Sequence, residues 1–484
     1  MERSKKRSRG DSIRSISSPL VQPLYDRQEI TDISSIRYEK INPSAPLSHL
    51  NSVINFEIPP NPNCLTVLQD SLLHATWTLS EVMPNGTVQK IPQASIEILY
   101  DEDGEATGEI KLKDGTQVTC VEPGAPLIAF KNVLLSVNGT SLPAASNDLN
   151  HYSSYFSFLL DSSPEARRTT LREYSLFYPK ESNKFEMTDP RPSSGNKSLA
   201  FLYSRVKDSK TVETISPLAG TPLSSFNRGL PPNTSISVTL DKNRPPLYVL
   251  SSDKNDTRFF GICFESLQLL VKRVELPPPS LSAYLSKMSR SPIMFPYKHF
   301  KMTSHEVPSN SLSFDLPIGE GSDELPSMIR FGFVRRKKFL GTYSESSFFF
   351  EPNDVRTIRV KESDSTISSE YAFYYPSENT SSELDTLTFL TTTTPLSYNH
   401  LMKVGNQFDK TDFSGGYAIL SLDLSRAKIH DEKHEDDVTS TPRKDKITLS
   451  FEFSRKTVSN EVLILQEIFH NSIHIARDGT VSLD

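Results

Sequence analysis

Glycine is scarce in this chain, 19 of 484 residues, and cysteine is scarcer, with only Cys64, Cys120 and Cys263. Glycine near 4% against the usual ~7% leaves little for phosphate-cradling loops. No Gly-rich phosphate loop, GxSxG elbow or HExxH occurs, so nucleotide-binding and common hydrolase classes lack their signatures. Three cysteines, an odd number with no CxxC spacing, argue against a disulfide framework or a cysteine-based zinc site and point to a reducing compartment. No apolar run approaches the ~18 residues of a membrane span. The basic start MERSKKRSRG has no hydrophobic segment behind it and is not read as a secretory signal. With 53 Lys and Arg against 59 Asp and Glu, the net charge of −6 excludes a wholly basic nucleic-acid coat.

What the chain has instead is proline, 34 residues, and much serine and threonine. That mixture suits a β-rich protein with stiff, polar connections. Period-two alternation is the dominant pattern from about residue 50. It runs through Asn51–Ile58, Ser71–Val82, Ser235–Leu240 and Arg258–Val274. Ala125–Val137 reads as one long β-prone run ending in the hairpin dipeptide Asn138-Gly139. Pro277, Pro278 and Pro279 then break the pattern. Strands resume at Ser311–Leu316, Met328–Val334, Val355–Val360, Gly416–Leu424 and Ile447–Phe453. Val462–Ile468, Ser472–Ile475 and Val481–Leu483 close the chain. The expected organisation is a basic, unstructured arm over residues 1–45, a first sandwich over 46–276, a proline-rich connector over 277–292 and a second sandwich over 293–484.

Helical spacing is rare. Tyr152, Tyr155, Phe156, Leu159 and Leu160 fall at i, i+3, i+4, i+7 and i+8, an apolar stripe that predicts a packing helix. Ser163-Pro164 reads as an N-cap and first-turn proline opening a second short helix, and Leu281–Met288 as a third that Pro292 must end.

Chemistry is thin. Arg3, Lys5, Lys6, Arg7 and Arg9 offer either a nuclear-import or polyanion-binding tail or a merely solvated terminus. Arg335, Arg336, Lys337 and Lys338 read first as a charged strand end, second as a nucleic-acid or import patch. His430 and His434 share helical spacing but sit among charged residues, unlike a metal site with a fixed shell around it. Cys263 reads as a core thiol and His151 as a packing or hydrogen-bonded histidine. Six N-x-[ST] triplets, at Asn85, Asn138, Asn196, Asn233, Asn255 and Asn379, are expected by chance in so Ser/Thr-rich a chain. No catalytic, cofactor-binding or metal-ligating set emerges.

Particular stretches carry a resemblance. Phe130 to Glu181, with FKNVLLSVNGTSLP and HYSSYFSFLL, resembles a strand, turn and helix of the hexon-like major capsid proteins of Maverick/Polinton elements and adintovirus-like viruses. Leu269 to Val334 is similar to that family's central block, and Gly415 to Ser425 and Ile447 to Asp484 to its C-terminal strands. The arm, Asp101–Thr119 and Lys428–Asp445 have no counterpart. The resemblance implies an all-β double jelly roll, two consecutive eight-stranded jelly rolls with short inserted helices. It implies a homotrimer of pseudo-hexagonal outline that tiles an icosahedral DNA-virus capsid. Its partners would be neighbouring capsomers, penton and minor capsid proteins, and packaged DNA through the N-terminal arm. The location would be the virion, with assembly in the host nucleus, and no reaction would be catalysed. Two other classes stay open at this point. One is a tandem β-sandwich binding carbohydrate or protein, including a penton or minor coat component. The other is a glycosidase or lyase built on two carboxylates.

Overall fold

The computed structural model describes residues 33–48, 51–83, 86–91, 96–100, 106–112, 118–143, 148–185, 196–226, 228–252, 258–319, 325–362, 367–372, 409–424, 446–457 and 460–483. Arg3, Lys5, Lys6, Arg7, Arg9, His430, His434 and the acidic stretch 428–445 lie outside these residues.

The first half contains eight antiparallel strands in chain order: Ser35–Ile41, Val53–Ile58, Cys64–Val82, Phe130–Val137, Thr140–Ser141, Val212–Pro217, Ile236–Lys242 and Phe260–Glu275. They form two sheets, ordered first-eighth-third-sixth and second-seventh-fourth-fifth. The second half repeats the plan with Ile293–Val307, Ser313–Ile318, Met328–Arg335, Val355–Glu362, Ile367–Ala372, Ile419–Asp423, Ile447–Phe453 and Glu461–Ile475, in the same two orders. This permutation is that of a jelly roll, and the chain is a double jelly roll. Short strands Val88–Gln89 and Val481–Leu483 extend one sheet in each half. Thr119–Val121 with Val249–Ser251, and Ile96–Tyr100 with Ala106–Leu112, make two further small sheets.

Alternation places the cores. In Val53–Ile58, Ile54, Phe56 and Ile58 point inward. In Cys64–Val82, Leu73, Ala75, Trp77 and Leu79 do the same. The only Trp, Trp77, is fully buried, and its indole N–H donates to Thr214 Oγ1 at 3.1 Å, so its one polar atom is satisfied. Prolines within strands fall at Pro217, Pro296 and Pro317, each in an edge strand. A missing N–H is tolerated there because no neighbour awaits it. Asn138 and Gly139, with φ of 48° and 81°, make the hairpin turn their pairing predicts.

Three expectations need correction. The arm does not extend to residue 45, because Ser35–Ile41 is the first strand, paired with Phe260–Glu275. It carries Arg37, Glu39 and Lys40 and is mostly exposed, so its brief apolar alternation at Ile36 and Tyr38 marks no core face. The run Ala125–Val137 is not one strand. Gly124, at φ 76°, turns the chain into a short helix over Ala125–Ile128 before the strand starts at Phe130. The prolines at 278 and 279 do not delay the third helix to Leu281; they occupy the first turn of Pro278–Met288, where their missing N–H groups are unpaired in any case.

Arg273 ties the first strand into the sheet. It is buried, and its guanidinium donates to Glu39 Oε2 at 2.8 Å, to the Pro59 carbonyl at 2.6 Å and to Thr66 Oγ1. Truncation leaves the acceptors without their donor and removes buried packing. We therefore expect Arg273→Ala to lower stability by about 2–4 kcal/mol, read as a fall in the urea unfolding midpoint.

Candidate functional site

The two jelly rolls meet at a seam built mainly by one helix. Residues 142–211 link the fifth and sixth strands of the first half and carry helices at Asn150–Leu160, Pro164–Arg168, Thr170–Ser175 and Lys197–Val206. Ser163 caps the second of these, accepting from the Ala166 N–H at 3.1 Å, as its sequence suggests. Asn150–Leu160 departs from the one-sided stripe expected of it. Tyr152, Tyr155, Phe156 and Leu159 are buried, Leu160 is half-buried, and Ser153, Ser154 and Ser157 on the other side are buried as well. Small serines let a second surface close over the helix.

The second half meets the aromatic stripe and, through Gln466, also reaches Ser153. Tyr155 stacks on Phe348 with ring centres 4.3 Å apart, and Phe156 packs on Phe350 at 5.4 Å. The Tyr152 hydroxyl donates to the Ser347 carbonyl at 3.2 Å. A Cβ at Gly332 would lie 2.6 Å from the Phe350 ring, so only glycine lets that ring reach the sheet. Polar contacts fix the register. Gln466 Nε2 donates to Ser153 Oγ at 2.9 Å, and Ser153 Oγ donates to the Gly220 carbonyl at 2.7 Å. Arg330 grips Asp161 with two parallel bonds, at 3.1 and 2.5 Å.

Buried charge lies close by. Lys180 Nζ and Glu122 Oε2 are 2.8 Å apart and both almost fully enclosed. The Tyr417 hydroxyl of the second half donates to the Lys180 carbonyl. Burial pushes the Arg167 guanidinium down to about 10; it still carries its charge at neutral pH and donates to the Leu159 carbonyl at 2.5 Å. Burial pushes the Tyr152, Tyr155 and Tyr417 phenols well up, so they remain protonated donors.

His151 packs on the Tyr152 ring at 4.4 Å, but neither ring nitrogen has a hydrogen-bond partner. Burial, reinforced by Arg244, drives it down to about 3 against the opposing charge of Asp148, so the imidazole is neutral. Cys120 is pushed up to about 12 by burial, and Cys64 and Cys263 are raised for the same reason, leaving thiols and not thiolates. The basic run is paired within the chain: Arg335 with Glu351 at 2.9 Å, Arg336 with Glu306 at 2.6 Å, Lys337 with Glu345 at 2.5 Å and Lys338 with Glu351 at 3.5 Å. It is a charged strand end. Glu351 and Glu461 share a cavity of about 760 Å³, and burial followed by the Glu351 charge raises Glu461 to about 7. Both are committed to protein partners: Glu351 to Arg335 and Lys338, Glu461 to Asn353. Among the described residues no group of three or more His, Cys, Asp or Glu could hold a metal ion, and no helix is long and apolar enough to cross a membrane.

Sequence reasoning found the helix but not its partner. The run Phe348-Phe349-Phe350, three large apolar residues in a connection without alternation, was the available signal.

No protein-family model and no curated protein sequence matches the chain. Solved structures do. A chain of the cryo-EM structure of the Sputnik virophage superposes with a TM-score of 0.56 at 11% identity, over 95% of this chain and 90% of that one. The Faustovirus major capsid protein gives 0.51 at 10%, over 94% and 92%. A chain of the PBCV-1 virus capsid gives 0.51 at 9%, over 95% and 98%. The fold is that of viral capsid subunits. At such identities the likeness is one of backbone plan, and it spans both jelly rolls and the seam between them.

The seam sets a clear expectation. Phe348→Ala removes a ring stacked in a fully buried site and should lower stability by about 3–5 kcal/mol, seen as an earlier unfolding midpoint. Leu159→Asp, which buries a charge with no partner, should leave no folded protein by circular dichroism. A Leu159→Asp protein with wild-type stability would show that this helix face is not enclosed.

Proposed function

We propose that the chain is a major capsid protein of a Polinton-like or adintovirus-like DNA virus or element. On this reading its work is the surface it presents to other copies, with no reaction catalysed. The observation that carries the proposal is the pair of jelly rolls of identical strand order, locked side by side through a shared aromatic seam. Three copies of such a subunit supply six jelly rolls, and so a near-hexagonal outline that can tile a closed shell. Capsid chains of Sputnik and Faustovirus share the whole plan. Exposed apolar side chains suit contacts between copies: Ile36 and Tyr38 on the first strand are 55% and 50% exposed, and Leu312 is 52% exposed. Neighbouring capsomers, penton and minor capsid proteins would be the further partners, the virion the location, and the host nucleus the place of assembly.

Light scattering on the purified protein after size exclusion should give three times the 54.4 kDa chain mass. Obligate interfaces of about 2,000–5,000 Å² should keep that trimer intact on dilution. A protein that is strictly monomeric at every concentration would overturn the proposal, and a five-fold assembly would favour a penton.

The arm with Arg3, Lys5, Lys6, Arg7 and Arg9 would face packaged DNA. Binding by phosphate neutralisation weakens steeply with salt. Deleting residues 1–12 should weaken DNA association at low salt and flatten its salt dependence in a filter or fluorescence assay. Unchanged salt-sensitive binding would remove DNA contact from the arm.

A further inference from the structure

A cavity of about 950 Å³ opens beside the seam, between the start of the strand Phe260–Glu275 and the Phe339 side chain of the second half. Its size falls within the ~300–1,000 Å³ of small-molecule sites. The walls are apolar, with Leu247, Tyr248, Phe260, Ile262 and Phe339, and Phe259 is 65% exposed. Most polar groups here are committed. Lys131 pairs with Asp148 at 3.3 Å, Asp148 accepts from Asn132 at 2.5 Å, and Lys242 donates to the Ser48 carbonyl at 2.8 Å. Two are not. Arg244 is exposed and has no carboxylate partner among the described residues. His151 is 98% buried, lines the same cavity and has both ring nitrogens unpartnered.

A buried polar group that no protein atom satisfies calls for a cause. Arg244 and His151 both line this apolar chamber, the one bringing an exposed guanidinium fork and the other a buried imidazole. We propose that this cavity binds an amphipathic carboxylate with a single acyl chain, its head held by Arg244 and His151 and its tail laid along Tyr248, Phe260 and Ile262. Because Phe339 comes from the second half and His151 from the first, the ligand would brace the seam. This inference does not depend on what the chain assembles into.

The test uses the full chain and submicellar dodecanoate. Cys263 lines the cavity and is half-buried, whereas Cys64 and Cys120 are buried, so alkylation at Cys263 reports occupancy. Dodecanoate should slow that alkylation and raise the thermal midpoint. Dodecanol, the same tail without the charge, should bind about tenfold more weakly, and Arg244→Glu should cost dodecanoate about tenfold. Met83→Trp, which fills one wall, should abolish protection. His151→Leu should weaken dodecanoate severalfold without lowering the ligand-free midpoint, because it removes a buried polar group that no protein atom satisfies. The proposal is overturned if dodecanoate gives no protection, if dodecanol binds equally well, or if Arg244→Glu leaves binding unchanged. A fall in the ligand-free midpoint of His151→Leu would assign the imidazole a packing role and overturn its place at the head group.

Discussion

The structure depends on covering the outer face of one sheet. Met328–Arg335 and Glu461–Ile475 are neighbouring strands of the second jelly roll, and both are buried on both faces for most of their length. Phe331, Phe333, Leu463 and Leu465 fill the sandwich interior, with Phe331 and Phe333 meeting Phe451 edge-on. Arg330, Gly332, Val334, Val462, Ile464 and Gln466 face the other way. A lone jelly roll would expose that second set to water. Here the aromatic helix of the first half and the loop bearing Phe348 and Phe350 close over it. The hydrophobic gain from this cover belongs to neither half alone, so separating the two sandwiches would expose apolar surface on both.

Apolar burial is non-directional, and the seam's polar contacts supply the direction. Gln466, Ser153 and the Gly220 carbonyl form a chain of hydrogen bonds across the interface, and a helix shifted by one turn would break it. Arg330 and Asp161 add a planar, two-point grip, although Asp161 is 44% exposed and the pair is correspondingly modest in energy. The enclosed Glu122–Lys180 pair lies wholly in the first half; it contributes little net stability but disfavours any packing there that separates its members. His151 contrasts with all of these. It lies in the same region, enclosed and neutral, packed on Tyr152 and Phe348 but with no hydrogen-bond partner for its ring nitrogens among the described residues.

How much of this was legible in the sequence follows from where each strand lies. Ile447–Phe453 alternates cleanly and was placed to the residue, because it is central and has one face in the core. Four strands lie outside the expected set: Ser35–Ile41, Val212–Pro217, Ile293–Val307 and Ile367–Ala372. All four are edge strands, although Val53–Ile58 and Ser313–Ile318 are edges too and keep a readable alternation. An edge needs little apolar side chain, and charge or proline there guards against unwanted pairing. Arg37, Glu39, Pro217 and Pro296 therefore weaken the signal that would reveal the strand. The reverse distortion affects Glu461–Ile475, where burial on both faces replaces alternation with a continuous apolar run and divides one strand into two apparent ones. The seam helix was visible from its spacing. Its full enclosure was not, since serines facing a partner look the same as serines facing water.

On the proposed capsid reading, the edges also bear on assembly. Pro217, Pro296 and Pro317 remove N–H donors from three of the edge strands, and Arg37, Glu39 and Lys40 place charge along another. Copies approaching through such edges gain few backbone hydrogen bonds, so a continuous sheet between subunits is disfavoured. Contact must then run through side chains on faces and loops, whose shape can differ from place to place. Two jelly rolls with one strand order but unlike connections fit that requirement. The repeated sandwich would give a near-regular outline, and unlike loops would allow each neighbour to be recognised separately. On that reading the seam would hold the two sandwiches at the fixed angle that a closed shell requires.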